Sequence, residues 1–150
     1  MLSMRRWLYL LPLVLLAISA GCGTGYNNPP VNSGLYGNWN IVMYPTGSQT
    51  PVYAFGLAMS QEGNTNYSGA SIPYTGFVGV PGNMCINANA LNATATTNNS
   101  GNTFTMTITD SSSGTVITVQ GSLATLSGNY NNGASQTCPA SSGTMSMSVQ

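Results

Sequence analysis

From Thr103 to Thr109 the chain alternates without a break: Phe104, Met106 and Ile108 at the even positions, threonine at 103, 105, 107 and 109. Successive side chains of an extended strand point to opposite faces. A segment with this period can bury one face and wet the other only as a strand. The period recurs along the chain. Trp39, Ile41 and Met43 alternate with Asn40, Val42 and Tyr44. Between Val52 and Gln61, bulky Tyr53, Phe55, Leu57 and Met59 alternate with small Ala54, Gly56, Ala58 and Ser60. Asn66 to Ile72 returns across a Glu62-Gly63-Asn64 turn. Val116 to Leu123 puts Ile117, Val119 and Leu123 on one face, and Leu126 to Tyr130 pairs back. Thr144 to Val149 closes the series with Met145, Met147 and Val149 inward.

Three stretches are less regular. In Asn83 to Thr97 a strand is expected near Ala90–Thr96, because Asn and Thr are poor helix formers; a helix over Ala88–Ala95 is the alternative. Pro73, Gly76, Gly79, Pro81 and Gly82 break the next apolar stretch, which reads as a loop or a short, bent edge strand. Asn131 to Ser142 reads as a loop carrying Cys138. Short strands at roughly ten-residue spacing define an all-β antiparallel meander of about eight strands, closed as a barrel or folded as a sandwich.

Charge narrows function more than fold. Both basic residues, Arg5 and Arg6, lie at the start; past them the chain has no cation or histidine, and its acids are Glu62 and Asp110. Nucleic-acid binding needs cations to displace counterions from phosphates, and attachment to anionic headgroups needs them too. Both classes are excluded. With 42% apolar residues in alternating runs, the chain reads as folded, its solubility carried by hydroxyls and amides.

The first residues have three parts: the arginines, an apolar run from Trp7 to Ala20, and small residues before Cys22. This is a signal-peptide layout. A spanning anchor is the rival, but the run is short of the ~20 residues a bilayer requires. Gly23 to Ser33, with Pro29 and Pro30, reads as an extended tether reaching up to roughly 35 Å. The expected division is therefore a signal peptide at 1–21, a tether at 22–33 and a β domain at 34–150.

Ser19-Ala20-Gly21-Cys22 resembles the lipobox of bacterial lipoproteins, with Ser19 where that family usually has Leu. The resemblance implies cleavage before Cys22, diacylglycerol on its sulfur and acylation of the new amine. Ordinary secretory cleavage is the alternative. Gly23, in place of an acidic residue, implies by the same resemblance the outer membrane. Two or more acyl chains anchor stably, at about 0.8 kcal/mol per buried methylene. Within the domain, Gly37-Asn38-Trp39 resembles the Gly-x-Trp that opens lipocalin- and avidin-like barrels, which favours a barrel.

Once Cys22 is assigned to lipid, Cys85 and Cys138 form an even pair in an oxidising compartment, where a disulfide is the default. A redox or metal pair is the rival, without a nearby cysteine or any histidine to support it. No metal site or cofactor is expected. Serine is plentiful but lacks a His or Lys to activate it. Glu62 and Asp110 fall in expected turns, where carboxylates are solvated or bond local amides; a glycan hydrolase would need them in one cleft, about 5–10 Å apart. Met145 and Met147 could bind Cu(I) but sit on the inward face, where Met fills core. Sequons at Asn66, Asn92 and Asn98 are expected chance matches in an Asn-rich chain. Tyr44, Tyr67, Tyr74 and Tyr130, among Asn and Ser, are candidate binding residues. The expectation is a non-enzymatic envelope lipoprotein binding a neutral partner, glycan or protein. The alternatives are a barrel carrying an apolar ligand and, more remotely, a hydrolase using Glu62 and Asp110.

Overall fold

A computed structural model describes residues 34–78, 85–98, 100 and 102–150. The signal peptide, Cys22 and the tether lie outside the described residues. The rest is an antiparallel closed barrel of eight strands in sequence order: β1 Gly37–Pro45, β2 Tyr53–Gln61, β3 Asn66–Ile72, β4 Leu91–Thr97, β5 Thr103–Asp110, β6 Val116–Ser122, β7 Ser127–Asn132 and β8 Ser141–Val149. β8 closes on β1 through pairs such as Ile41–Met147 and Met43–Met145. Of the two architectures expected, the barrel is the one formed. Closure pairs every strand on both sides and leaves no open edge; of the loop or bent edge strand expected at 73–82, residues 73–78 form the loop, running outside the barrel without strand pairing, and 79–82 lie outside the described residues. The region around 88–95 enters β4 rather than a helix. β7 extends to Asn132 and β8 begins at Ser141, shortening the expected 131–142 loop from both ends.

Alternation does the building. Phe104, Met106 and Ile108 face inward beside Ala93, Ala95, Ile117 and Val119, and all are buried. Trp39, Ile41 and Met43 meet Phe55, Leu57, Met145 and Met147 across the other side. Met145 and Met147 are therefore part of the core. Tyr53 and Tyr130 meet edge to face inside the barrel, ring centroids 6.1 Å apart, a favoured aromatic geometry. An eight-stranded barrel is just wide enough for side chains to fill.

Each end is closed differently. At the end carrying Gly37, Gln61 and Asn66, Leu35 is fully buried and its carbonyl accepts the Trp39 indole N–H at 2.8 Å. At the end carrying Tyr53, Leu91 and Asp110, residues 85–90 before β4 and the β7–β8 connection are joined by the Cys85–Cys138 disulfide, S–S 2.06 Å. Ile86, beside Cys85, is buried in the core beneath them.

Glycines mark where the wall coils. Cβ atoms added at Gly128 and Gly143 would run into the carbonyl oxygens of Gln120 and Tyr44 on adjoining strands. Small barrels need such corners. Gly143→Ala is expected to cost about 1–3 kcal/mol, read as a lower denaturation midpoint in urea. Gly63→Ala, at an open turn position with nothing within 4 Å, is the control and should change little.

Candidate functional site

The outward face of β1 should be wet by alternation, yet Asn40 and Val42 are buried. Residues 73–78 account for this by lying across β1 and β2 as a strap. The Asn40 amide donates to Thr75 Oγ1 at 3.3 Å, and its Oδ1 accepts the Thr75 N–H at 3.0 Å. Gln150 completes the clamp: its amide donates to Asn40 Oδ1 and to the Pro73 carbonyl, both at 2.9 Å. Gly56 lies beneath the strap, where a Cβ would meet Gln150 Nε2 and the carbonyls of Ile72 and Pro73.

Between the strap and β8 runs a cleft of about 540 Å³, within the size range of small-ligand sites. One wall is Tyr74, Thr75, Gly76, Phe77 and Val78; the other carries Ser146, Ser148 and Val149, with Asn40 and Val42 at the floor. Phe77 is fully exposed, forgoing the roughly 1.5–3 kcal/mol that burial of such a side chain contributes. Among the described residues five large apolar side chains are exposed, and three of them, Phe77, Val78 and Val149, line this cleft. No Lys, Arg, His, Asp or Glu side chain lines it.

Along β1 from Val42, the next outward residue is Tyr44, about 7 Å further on. It is paired with Thr144, half-exposed, and begins a polar row that circles the barrel through Asn129, Gln120, Thr105 and Thr96. Two other clefts lie on the outside. One, of about 450 Å³, is bounded by the β1–β2 turn and β8. The other, of about 320 Å³, lies over β3–β5 beside Glu62, which accepts a hydrogen bond from Ser68.

The four candidate tyrosines separate. Tyr74 lines the strap cleft and Tyr44 stands beyond its floor. Tyr67 and Tyr130 are buried in the core and also border the outer clefts over β3–β5 and beside β8, respectively. Tyr130 donates or accepts with Ser141 Oγ at 2.8 Å, and burial pushes its hydroxyl pKa up. The Tyr53 hydroxyl, its pKa raised by burial and then by Tyr130, donates to Asn132 Oδ1 at 3.4 Å and lies as close to the disulfide sulfur of Cys85. Both groups act as neutral phenols holding the capped end. Phe77 was not singled out by sequence reasoning, because its exposure depends on where the strap lies.

The two carboxylates do not share a cleft. Asp110 pairs with Leu91 at one end of β4, while Asn66, which bonds the Glu62 N–H, pairs with Thr96 near the other. Five residues of strand separate those positions by about 16 Å, beyond the reach of a paired-carboxylate mechanism. Asp110 is also not a solvated turn residue: it ends β5, is buried, and accepts four hydrogen bonds. Comparison with family models, with curated proteins and with solved structures finds no match to this chain.

Proposed function

We propose that this chain is a non-catalytic, lipid-anchored protein of the bacterial cell envelope whose barrel presents an uncharged surface to an uncharged partner. The observation that carries the reading is the placement of charge. After Arg6 the chain has no cation and only two acids, and the charge of Asp110 is enclosed in its own hydrogen bonds. Glu62 alone brings a side-chain charge to the described surface. Such a surface has nothing with which to hold phosphate or an anionic headgroup. Membrane attachment then falls to the lipid on Cys22, and recognition falls to hydroxyls, amides and aromatic rings. Interior transport of an apolar ligand is the weaker reading, because Phe55, Leu57, Met106, Ile108 and the Tyr53–Tyr130 pair already occupy the inward positions.

Radiolabelled palmitate fed to bacteria expressing the full chain should enter the wild-type protein and sediment with membranes. Cys22→Ala should lose both label and sedimentation. Wild-type protein without label would refute the anchoring, whatever the domain binds.

A further inference from the structure

The geometry points to the cleft between the strap and β8 as a binding site for a neutral saccharide chain, with the Phe77 ring as its stacking platform. This rests on the reading that the partner is uncharged, and it names both the partner's class and its place. Exposed apolar side chains are normal when scattered; here Phe77, Val78 and Val149 gather on one cleft. A cluster of that kind marks a contact surface.

The facing wall offers the exposed Ser146 and Ser148, and Tyr74 lies beside Phe77. A pyranose has a C–H face and a rim of hydroxyls. Its C–H face suits an aromatic ring, whose face is electron-rich. Its rim suits serine hydroxyls, which donate and accept. The lining carries no cation, which disfavours uronic, sialic and phosphorylated sugars.

A peptide adding as a strand requires a free sheet edge, which the closed barrel does not offer. A protein partner of ordinary affinity covers about 1,200–2,000 Å², and the remaining exposed apolar residues, Tyr36 and Val116, do not line this cleft. A cleft built of one aromatic wall and one hydroxyl wall fits a narrow sugar chain better than a broad protein face. The wall is also preorganised, since Asn40 and Gln150 hold the strap at Thr75 and Pro73, which lowers the ordering cost of binding.

The test is calorimetry and array binding with the purified full chain, using cello-, chito- and manno-oligosaccharides as neutral probes and polygalacturonate as the anionic one. Saturable binding of a neutral series is expected, unchanged between low and high salt. Phe77→Ala should weaken it about tenfold or more, as loss of a stacked ring does, without moving the melting temperature, because Phe77 is fully exposed. Ser146→Trp should obstruct the cleft and give a comparable loss. Wild-type affinity in both variants would overturn the placement, and no retention of any neutral glycan would overturn the ligand class. Salt-sensitive preference for polygalacturonate would overturn the uncharged-partner reading beneath both. Palmitate labelling at Cys22 is independent of all these outcomes.

Discussion

Removing the disulfide is expected to cost the barrel about 4 kcal/mol of stability. Cys85 and Cys138 are 53 residues apart in sequence, and closing a loop of that length in the unfolded chain accounts for a figure of this size. The structure adds a reason for the full loss to be felt. The bond joins the β3–β4 connection to the β7–β8 connection, which lie on strand pairs that are not neighbours in the sheet. It therefore spans the mouth of the barrel. Below it, the Tyr53 hydroxyl donates to Asn132 and lies beside Cys85 Sγ, and Thr115 Oγ1 donates to Cys138 Sγ at 3.5 Å. For a domain of ordinary stability, 4 kcal/mol is a third or more of the total, and it lowers the melting temperature by roughly 10–20 °C. The measurement is urea denaturation of Cys85→Ala/Cys138→Ala beside wild type with and without reductant. Reductant should carry wild type to the variant's midpoint and leave the variant unmoved. Coincident midpoints for reduced and oxidised wild type would show that the bond constrains nothing.

How much of this was legible in the sequence depends on how far each residue's environment is local. The inward faces of β1, β2 and β5, and Met145 and Met147 on β8, follow from period two alone, because each strand has one buried side set by its own pleat; Val149, expected inward by the same period, is exposed at the strand's end. Asn40 and Val42 break that rule: their burial comes from a strap more than thirty residues away in sequence, and no local pattern reports it. Phe77 was missed for the same reason. The burial of Tyr130 has no local signal, because Gly128 and Asn132, its companions on the inward parity of β7, are not apolar and the strand shows no hydrophobic period. Asp110 was legible in part. It bonds a local backbone amide, the Ser112 N–H, as a turn carboxylate is expected to; its continuation of the even parity of Phe104, Met106 and Ile108 places it inside, and the Asn87 N–H that also reaches it comes from a distant connection. Closure into a barrel followed from strand number and turn spacing only as one of two architectures, because alternation specifies a buried face and not what it packs against.

Asp110 should be the acid-sensitive point of the fold. Burial alone would raise its pKa above the ordinary 3.8. Donors outweigh burial: the Ser112 hydroxyl at 2.6 Å, the Asn87 N–H at 2.8 Å, the Ser113 hydroxyl at 2.7 Å and the Ser112 N–H at 2.8 Å hold its carboxyl well below the usual carboxylate range. A depressed native pKa means the unfolded chain binds the proton first. The contribution is therefore complete above the ordinary value and is lost as pH falls below it, at up to about 1.4 kcal/mol per pH unit for one proton. Asn is a poor substitute. Each carboxylate oxygen accepts one fixed backbone N–H, from Asn87 on Oδ2 and from Ser112 on Oδ1, so either placement of an amide turns its NH₂ toward a backbone donor. Asp110→Asn should cost about 2–4 kcal/mol at neutral pH, combining a lost charge-assisted bond with an unsatisfied donor. The loss should be felt at both joints that Asp110 ties: the β5–β6 turn and Asn87, next to Ile86 and Cys85. Urea titrations from pH 7 to pH 2 should show wild-type stability falling toward that of the variant as the carboxyl protonates. Glu62 is present in both proteins and drops out of the difference. Two curves that stay parallel to pH 2 would mean that Asp110 is no better stabilised in the fold than in the unfolded chain.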